Sequence, residues 1–254
     1  MSKHKSAKPI AAFDLDGSLV REQLLVLLLK ECFELQIFPR VTELAFKKVR
    51  LAQRDRKISH DVYEKRLIEL FEDRIRGKLK SDVEAAAEIV AEKNKDWLYV
   101  FSRTLLESLR PTHSCITITG AMSETVNLLA PYWGFEHVYG TELEVRRGRY
   151  TGRNRKLPVT DKKTALEKHL ETTGADLKGS VALGDTSSDV CLLACVETPI
   201  AFNPSNTLAG EAERRGWPIV IERKDCIYVL KAAAVRRFRR DEAIEAVRFV
   251  LTQK

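Results

Sequence analysis

The spacing of apolar residues changes twice along the chain, and those changes lay out its architecture. Pro9-Ile10-Ala11-Ala12-Phe13 is a continuous apolar run of strand length, followed at once by Asp14, Asp16 and the turn residue Gly17. A run that is apolar at every position predicts a strand covered on both faces, so its end is the first place where charge can reach water. From Arg21 to about Lys93 the spacing becomes helical. Leu24, Leu25, Leu27, Leu28, Cys32 and Leu35 make one stripe that stops at Pro39. A second helix fits Val41 to about Arg54. A third follows an N-cap at Ser59, with Val62, Tyr63, Leu67, Leu70 and Phe71 on its inner side, and Ser81 with Glu84 reads as the capping box of a fourth.

Beyond a further helix from Asp96 to Leu109, the pattern alternates between strand and helix. Cys115–Thr119, His137–Tyr139, Ser180–Leu183, Pro199–Phe202 and Pro218–Ile221 read as strands. Ser123–Ala130 (stopped by Pro131), Asp161–Thr172, Ser187–Cys195 and Ser205–Arg215 read as helices, and Arg146-Arg147-Gly148 as the turn of a hairpin. Cys226 to Lys254 reads as one or two basic helices broken near Arg239–Asp241. Repeated βα units with short links predict an α/β protein, a doubly wound, Rossmann-like parallel sheet. The helical stretch then becomes a small all-α cap inserted at 19–93, leaving 1–18 and 94–254 as a discontinuous core.

Composition narrows this picture only slightly. A chain of 254 residues, 44% hydrophobic, can bury one large core or a core with a smaller domain. The apolar run Leu24–Leu29 is too short to span a bilayer, and the polar, basic start Met1–Lys8 argues against a secretory signal. Five cysteines, an odd number lying mostly in apolar segments, read as core residues of a reduced, cytoplasmic protein. The net charge of +7 favours acidic partners. Its two clusters, Arg146 to Lys156 and Arg236 to Arg240, read first as solvated surface; a nucleic-acid module and an anionic membrane surface are the alternatives. No oligomeric state is implied.

Strands of such a sheet end on one edge, so residues after different strands converge in one crevice. These ends carry Asp14 and Asp16, then Thr119 and Gly120, then Asp185 and Asp189, with Lys162 or Lys163 opening the helix before the Asp185 strand. Paired carboxylates repel unless something positive lies between them, and hard oxygen donors suit a magnesium ion. With a hydroxyl, free amides and a lysine, the inventory fits phosphoryl transfer.

The set Asp14-Leu15-Asp16-Gly17-Ser18, Ile118-Thr119-Gly120, Lys162 and Gly184-Asp185-Thr186-Ser187-Ser188-Asp189 resembles the four motifs of the haloacid dehalogenase-like hydrolases, closest to the phosphoserine phosphatase-like branch. The resemblance implies a magnesium-dependent phosphatase acting on a small phosphorylated metabolite through an aspartyl-phosphate. Asp14 would be the nucleophile and Asp16 the general acid and base. The metal would be held by Asp14, Asp185 and the Asp16 backbone carbonyl, with Asp189 acting through water. Thr119, Gly120 and Lys162 would hold the phosphate; the spacing from Asp185 favours Lys162 over Lys163. Transfer to an acceptor other than water is the alternative within enzymes. In that branch a glutamate receives the substrate amine; Gln23 stands at the matching position, and Arg66 matches the arginine that binds the substrate carboxylate. A neutral amide holds an ammonium less well, which points to a head group other than phosphoserine.

Overall fold

The computed structural model describes residues 8–156, 158, 161–231 and 234–252. The polar run at 1–7 and residues 253–254, both used in the sequence reading, lie outside the described residues. Among the described residues nine strands form one sheet: β1 (Pro9–Phe13), β2 (Ser114–Met122), β3 (His137–Arg146), β4 (Arg149–Lys156), β5 (Asp176–Gly184), β6 (Thr198–Phe202), β7 (Ile219–Arg223), β8 (Cys226–Lys231) and β9 (Ala234–Arg239). Their order is β4-β3-β2-β1-β5-β6-β7-β8-β9. The six strands from β3 to β7 pair in parallel, and the outer strands β4, β8 and β9 run antiparallel to their neighbours. The chain leaves β1 for β2 on one side and later returns to β5 on the other. That reversal opens a crevice at the carboxyl end of β1.

Helices cover both faces. Ala11 and Phe13 pack with Leu105 of α5 (Val100–Leu109), Val126 of α6 (Ser123–Trp133) and Val247 of α10 (Ala243–Thr252). Ile10 and Ala12 pack with Leu166 of α7 (Lys162–Thr173), Leu192 of α8 (Val190–Leu193) and Leu208 of α9 (Asn206–Arg215). Alternate side chains of β1 thus serve opposite layers, which is why every position of the run is apolar.

Between β1 and β2 come α1 (Leu24–Glu34), α2 (Arg40–Arg54), α3 (His60–Ile75) and α4 (Lys80–Asn94), followed by α5. Leu28, Leu29 and Cys32 of α1, Phe46 of α2, Leu67 and Phe71 of α3 and Ala86 of α4 share a second apolar cluster. Leu143 and Tyr150 of the β3–β4 hairpin complete it. The hairpin is pinned to the α3–α4 link, with Gly77 N donating to Tyr150 O (2.8 Å) and Tyr150 N to Lys78 O (3.0 Å).

Four local expectations are corrected. The stretch read as C-terminal helices holds β8 and β9 before α10: Ile227 and Val229 alternate inward, a period of two that a basic composition had masked. The apolar face of α10 is spent on the core, where Ala243, Ala246, Val247 and Val250 are buried, and the arginines of β9 are exposed on an edge strand. A charged edge of this kind discourages further pairing. Ser81 is no N-cap; α4 starts at Lys80, whose N–H is satisfied by Gly148 O of the hairpin at 2.9 Å. Pro131 lies inside α6, which carries on to the buried Trp133 and stops at Gly134 (φ 82°). Finally, α5 begins at Val100 and not Asp96, because Tyr99 N bonds Leu19 O and Leu98 bridges to Val20.

No helix among the described residues is long and apolar enough to cross a membrane. In the hairpin cluster, Arg146 pairs with Glu144 and Arg155 lies 4.0 Å from Glu142, so part of its positive charge is locally compensated.

One buried histidine lies under the sheet. His169 of α7 shares a hydrogen bond with the Tyr139 hydroxyl (2.8 Å) and stacks edge-on against His137, while its Nε2 has no partner. Burial and the neighbouring His137 hold its pKa below the usual 6.5, against an opposing pull from Glu136. The unfolded chain therefore takes up this proton more readily than the folded one, so stability is fullest above about pH 6.5 and falls as pH drops through the depressed value. Urea unfolding of His169→Phe should show a smaller loss of stability between pH 8 and pH 5 than the wild type.

Candidate active site

The crevice at the end of β1 collects the residues that the strand ends predicted. Asp14 follows β1 directly, its N–H bonded to Leu183 O of β5 (2.9 Å), and it is 5% exposed. Asp185 follows β5, and Asp189 closes the short 3-10 turn Ser187–Asp189 beyond it. One carboxylate oxygen from each of Asp14, Asp185 and Asp189 falls within 4.8 Å of the others. Lys162, 1% exposed, reaches in from the first turn of α7 and donates to Asp14 Oδ1 and Asp189 Oδ1, both at 2.6 Å. Lys163 points away, half exposed, toward Glu167. Successive helical residues diverge by about 100°, so only one of the pair can enter the crevice.

The two aspartates of the first motif have different surroundings. Asp14 is raised from 3.8 to about 6, chiefly by burial, which outweighs the charge of Lys162. Asp16 is raised to about 7, again chiefly by burial, although Leu24 N donates to its Oδ1 at 2.8 Å. That bond satisfies an open N–H at the start of α1, a capping role the N-cap residue Gln23 does not fill with its side chain. Asp185 is pushed well up by burial and by the charges of Asp14 and Asp189, with Ser18 Oγ donating to it at 3.2 Å. For Lys162 burial acts downward, but the charges of Asp14 and Asp189 overcome it and hold the ammonium above its usual range.

Backbone geometry brings these groups close. Gly17 has a φ of 80°, and a Cβ there would run into the Asp185 carboxylate. Asp189 Oδ2 accepts from the amides of Asp185 (3.0 Å) and Thr186 (2.9 Å), fixing the turn while its other oxygen holds Lys162. Thr119 is fully buried near the end of β2, its Oγ1 accepting from Ala121 N at 3.1 Å, and Gly120 beside it is exposed.

A cleft open to solvent lies over this cluster. Its floor is Asp14, Asp16, Thr119, Gly120, Asp185, Thr186 and Ser188. Its roof is Gln23 and Leu25 at the start of α1 with Glu64, Leu67 and Ile68 of α3, and Gln23 Nε2 donates to Glu64 Oε1 at 2.9 Å. Lys162 and Asp189 stand behind the floor. Arg66 is exposed and absent from the lining, because Glu64, Leu67 and Ile68 occupy the inward face of α3 and Arg66 lies on another side. Sequence reasoning missed Glu64, though its place one turn before the inward Leu67 was a readable sign.

The arrangement offers a carboxylate with an open approach, a second buried carboxyl beside it, and an acidic cluster carrying more negative charge than one lysine offsets. The sequence pattern of the haloacid dehalogenase-like hydrolases matches residues 11–194. The chain belongs to that family.

Its helical insertion α1–α5 follows β1, and the chain is similar to phosphoserine phosphatases in sequence and in fold. A histidinol-phosphatase of Neisseria meningitidis serogroup C (strain 8013) is 34% identical over 94 residues, 35% of this chain and 42% of the relative. A phosphoserine phosphatase of Archaeoglobus fulgidus is 25% identical over 209 residues, 81% of this chain and 56% of the relative. The chain thus spans about half the length of these curated relatives. A solved phospho-aspartyl intermediate analogue of phosphoserine phosphatase is similar in fold, with a TM-score of 0.59 at 21% identity, covering 87% of this chain and 96% of that one.

Lys162 is the counter-charge for two buried carboxylates. Lys162→Met should lower the unfolding free energy of the metal-free protein by about 3–5 kcal/mol, read by urea unfolding, because breaking a buried pair strands the remaining charge.

Proposed function

We propose that the protein is a magnesium-dependent phosphatase that hydrolyses a small phosphomonoester through an aspartyl-phosphate on Asp14. The observation that carries this reading is the Lys162 bridge between Asp14 and Asp189, with Asp185 alongside, at the floor of a cleft that also holds Asp16. A histidinol-phosphatase and a phosphoserine phosphatase among its relatives support a small phosphorylated substrate. We place the catalytic core at 1–18 and 94–254 and the cap at 19–93.

The acidic cluster fits a magnesium ion on its own chemistry. Its donors are hard carboxylate oxygens, and the raised pKa of Asp14 and Asp185 reflects negative charge that burial leaves undercompensated. Asp14 and Asp185 would hold the ion with the Asp16 backbone carbonyl. Asp189, its oxygens engaged by Lys162 and the turn amides, would contribute through water. The ion's chemistry there is to shield the incoming phosphate from the carboxylates and to neutralise charge at the transferred group.

The remaining work falls to the side chains. Lys162 holds the Asp14 carboxylate in one orientation, leaving its other oxygen to attack phosphorus and displace the alcohol. Asp16 gives its proton to the leaving oxygen and then takes one from the water that opens the acyl phosphate. Thr119 and the amide at Gly120 line the place for the phosphate oxygens, and the Lys162 ammonium supports it with positive charge from behind Asp14.

Purified protein with magnesium should hydrolyse 4-nitrophenyl phosphate, lose that activity on chelation with EDTA, and lose it in Asp14→Asn; full activity in Asp14→Asn would sink the mechanism. Asp16→Asn should lower kcat by about 10²–10⁴-fold on alkyl phosphates. The loss should be smaller on 4-nitrophenyl phosphate, whose leaving group departs without a proton.

A further inference from the structure

Helix α2 carries more apolar surface than the cap interior covers. Thr42 and Phe46 are buried, and Val49 packs beside them. Val41, Leu44 and Leu51 lie outside that face and are 62%, 52% and 46% exposed. With Lys48 they follow three- and four-residue spacing, which places them in one strip along the helix. Leu35 and Pro39 are exposed at the turn from α1 that leads into it.

A row of cations runs beside the strip. Arg40, Lys47 and Arg54 recur every seven residues, about two turns apart, and are exposed, as is Lys48. Arg40 and Lys48 form no ion pair among the described residues. Lys47 and Arg54 pair with Glu43 (2.5 Å) and Asp55 (3.4 Å), exposed contacts that leave both cations open to other anions. The groove between α1 and α2 sets four cations, Lys30, Lys47, Arg50 and Arg54, against two carboxylates, Glu34 and Glu43. Arg50 also reaches Glu22 at 3.0 Å, which ties α2 to the loop that carries Gln23 of the cleft roof.

An apolar strip edged by cations fits a partner that is apolar and anionic at once. A lipid surface is both: the strip enters the head-group boundary while the lysines and arginines meet lipid phosphates. A second copy of this helix would set the same cations against one another. A nucleic acid would engage the cations and leave Val41, Leu44 and Leu51 in water. The arginines of β9 lack this combination, since Phe238 packs against Phe249 and Val235 is the one large apolar side chain exposed on that strand.

We propose that α2 is an interfacial helix that docks the cap onto an anionic lipid surface. Val41, Leu44 and Leu51 enter the boundary, and Arg40, Lys47, Lys48 and Arg54 lie against the head groups. Such docking is independent of the chemistry at Asp14.

The test is co-sedimentation of the full chain with phosphatidylcholine vesicles, with and without phosphatidylserine. The vesicles containing phosphatidylserine should be bound about tenfold or more tightly, and less so as salt rises. Leu44→Gln with Leu51→Gln should weaken that binding by about tenfold or more, because two apolar side chains no longer enter the boundary. Arg40→Glu with Lys48→Glu should remove the preference for the anionic vesicles. All four positions are exposed, so the midpoint of urea unfolding should match the wild type. In Leu44→Trp the added indole emission should shift to the blue on the anionic vesicles.

No binding to the phosphatidylserine vesicles overturns the inference. So does binding that the paired leucine substitutions leave unchanged, or a bound Leu44→Trp whose emission does not shift. Equal affinity for single-stranded RNA or polyglutamate overturns it in favour of a general polyanion surface. A concentration-dependent dimer abolished by the leucine substitutions overturns it in favour of a second copy of the chain.

Discussion

The structure turns on one buried ammonium. Lys162 lies between Asp14 and Asp189, and each of these is tied to a different part of the sheet: Asp14 to β1 and through its N–H to β5, Asp189 to the turn after β5. Buried charges persist only when paired. Here the pairing joins α7 to two strand ends, and the same contacts that make the cluster tolerable also set its geometry. Gly17 and the turn amides at Asp185 and Thr186 then draw the carboxylates together from both sides.

A second anchor secures the loop through which the chain leaves the core. Arg21 donates to Leu98 O (3.0 Å) and to the buried Glu222 (2.6 Å), whose other oxygen accepts from Phe101 N at 2.8 Å. Glu222 belongs to β7, so a distant strand holds both the exit of the loop after Asp16 and the start of α5. Asp16 in turn accepts from Leu24 N at the start of α1, which couples the first motif to the cap. Orientation of α1 and α3 over the floor is therefore linked to the same loop that carries the two aspartates. The two aspartates of the first motif and the helices over them thus share one short piece of backbone.

Much of this was legible in the residues. The β1 run, the alternation of strands and helices after Leu109, and the convergence of Asp14, Thr119, Lys162 and Asp185 follow from periodicity and from the rule that strand ends gather at a topological switch point. The failures have physical causes. Strand β9, which carries Arg236, Arg237 and Arg239, is exposed along almost its whole length at the sheet edge, so no alternation of apolar and polar positions marks it as a strand. Ser81 and Glu84 had the composition of a capping box, but a carbonyl from the β4 turn reached the helix end first. Arg66 matches by local spacing, but the rotation of α3 leaves it exposed and outside the lining of the cleft.

By itself the sequence determined the class of fold, the places along the chain whose acidic and polar residues converge in the crevice, and the family. These depend on local patterns: apolar period, turn residues and short motifs whose spacing is set within one strand-to-helix link. Only the tertiary structure decided which of two adjacent lysines enters the crevice, and that Gln23 at the start of α1 donates to Glu64 of α3. Such choices depend on how α3 is rotated over the sheet and how α7 meets β1. That rotation is the net result of many packing contacts far apart in the chain, and no short stretch of residues encodes it.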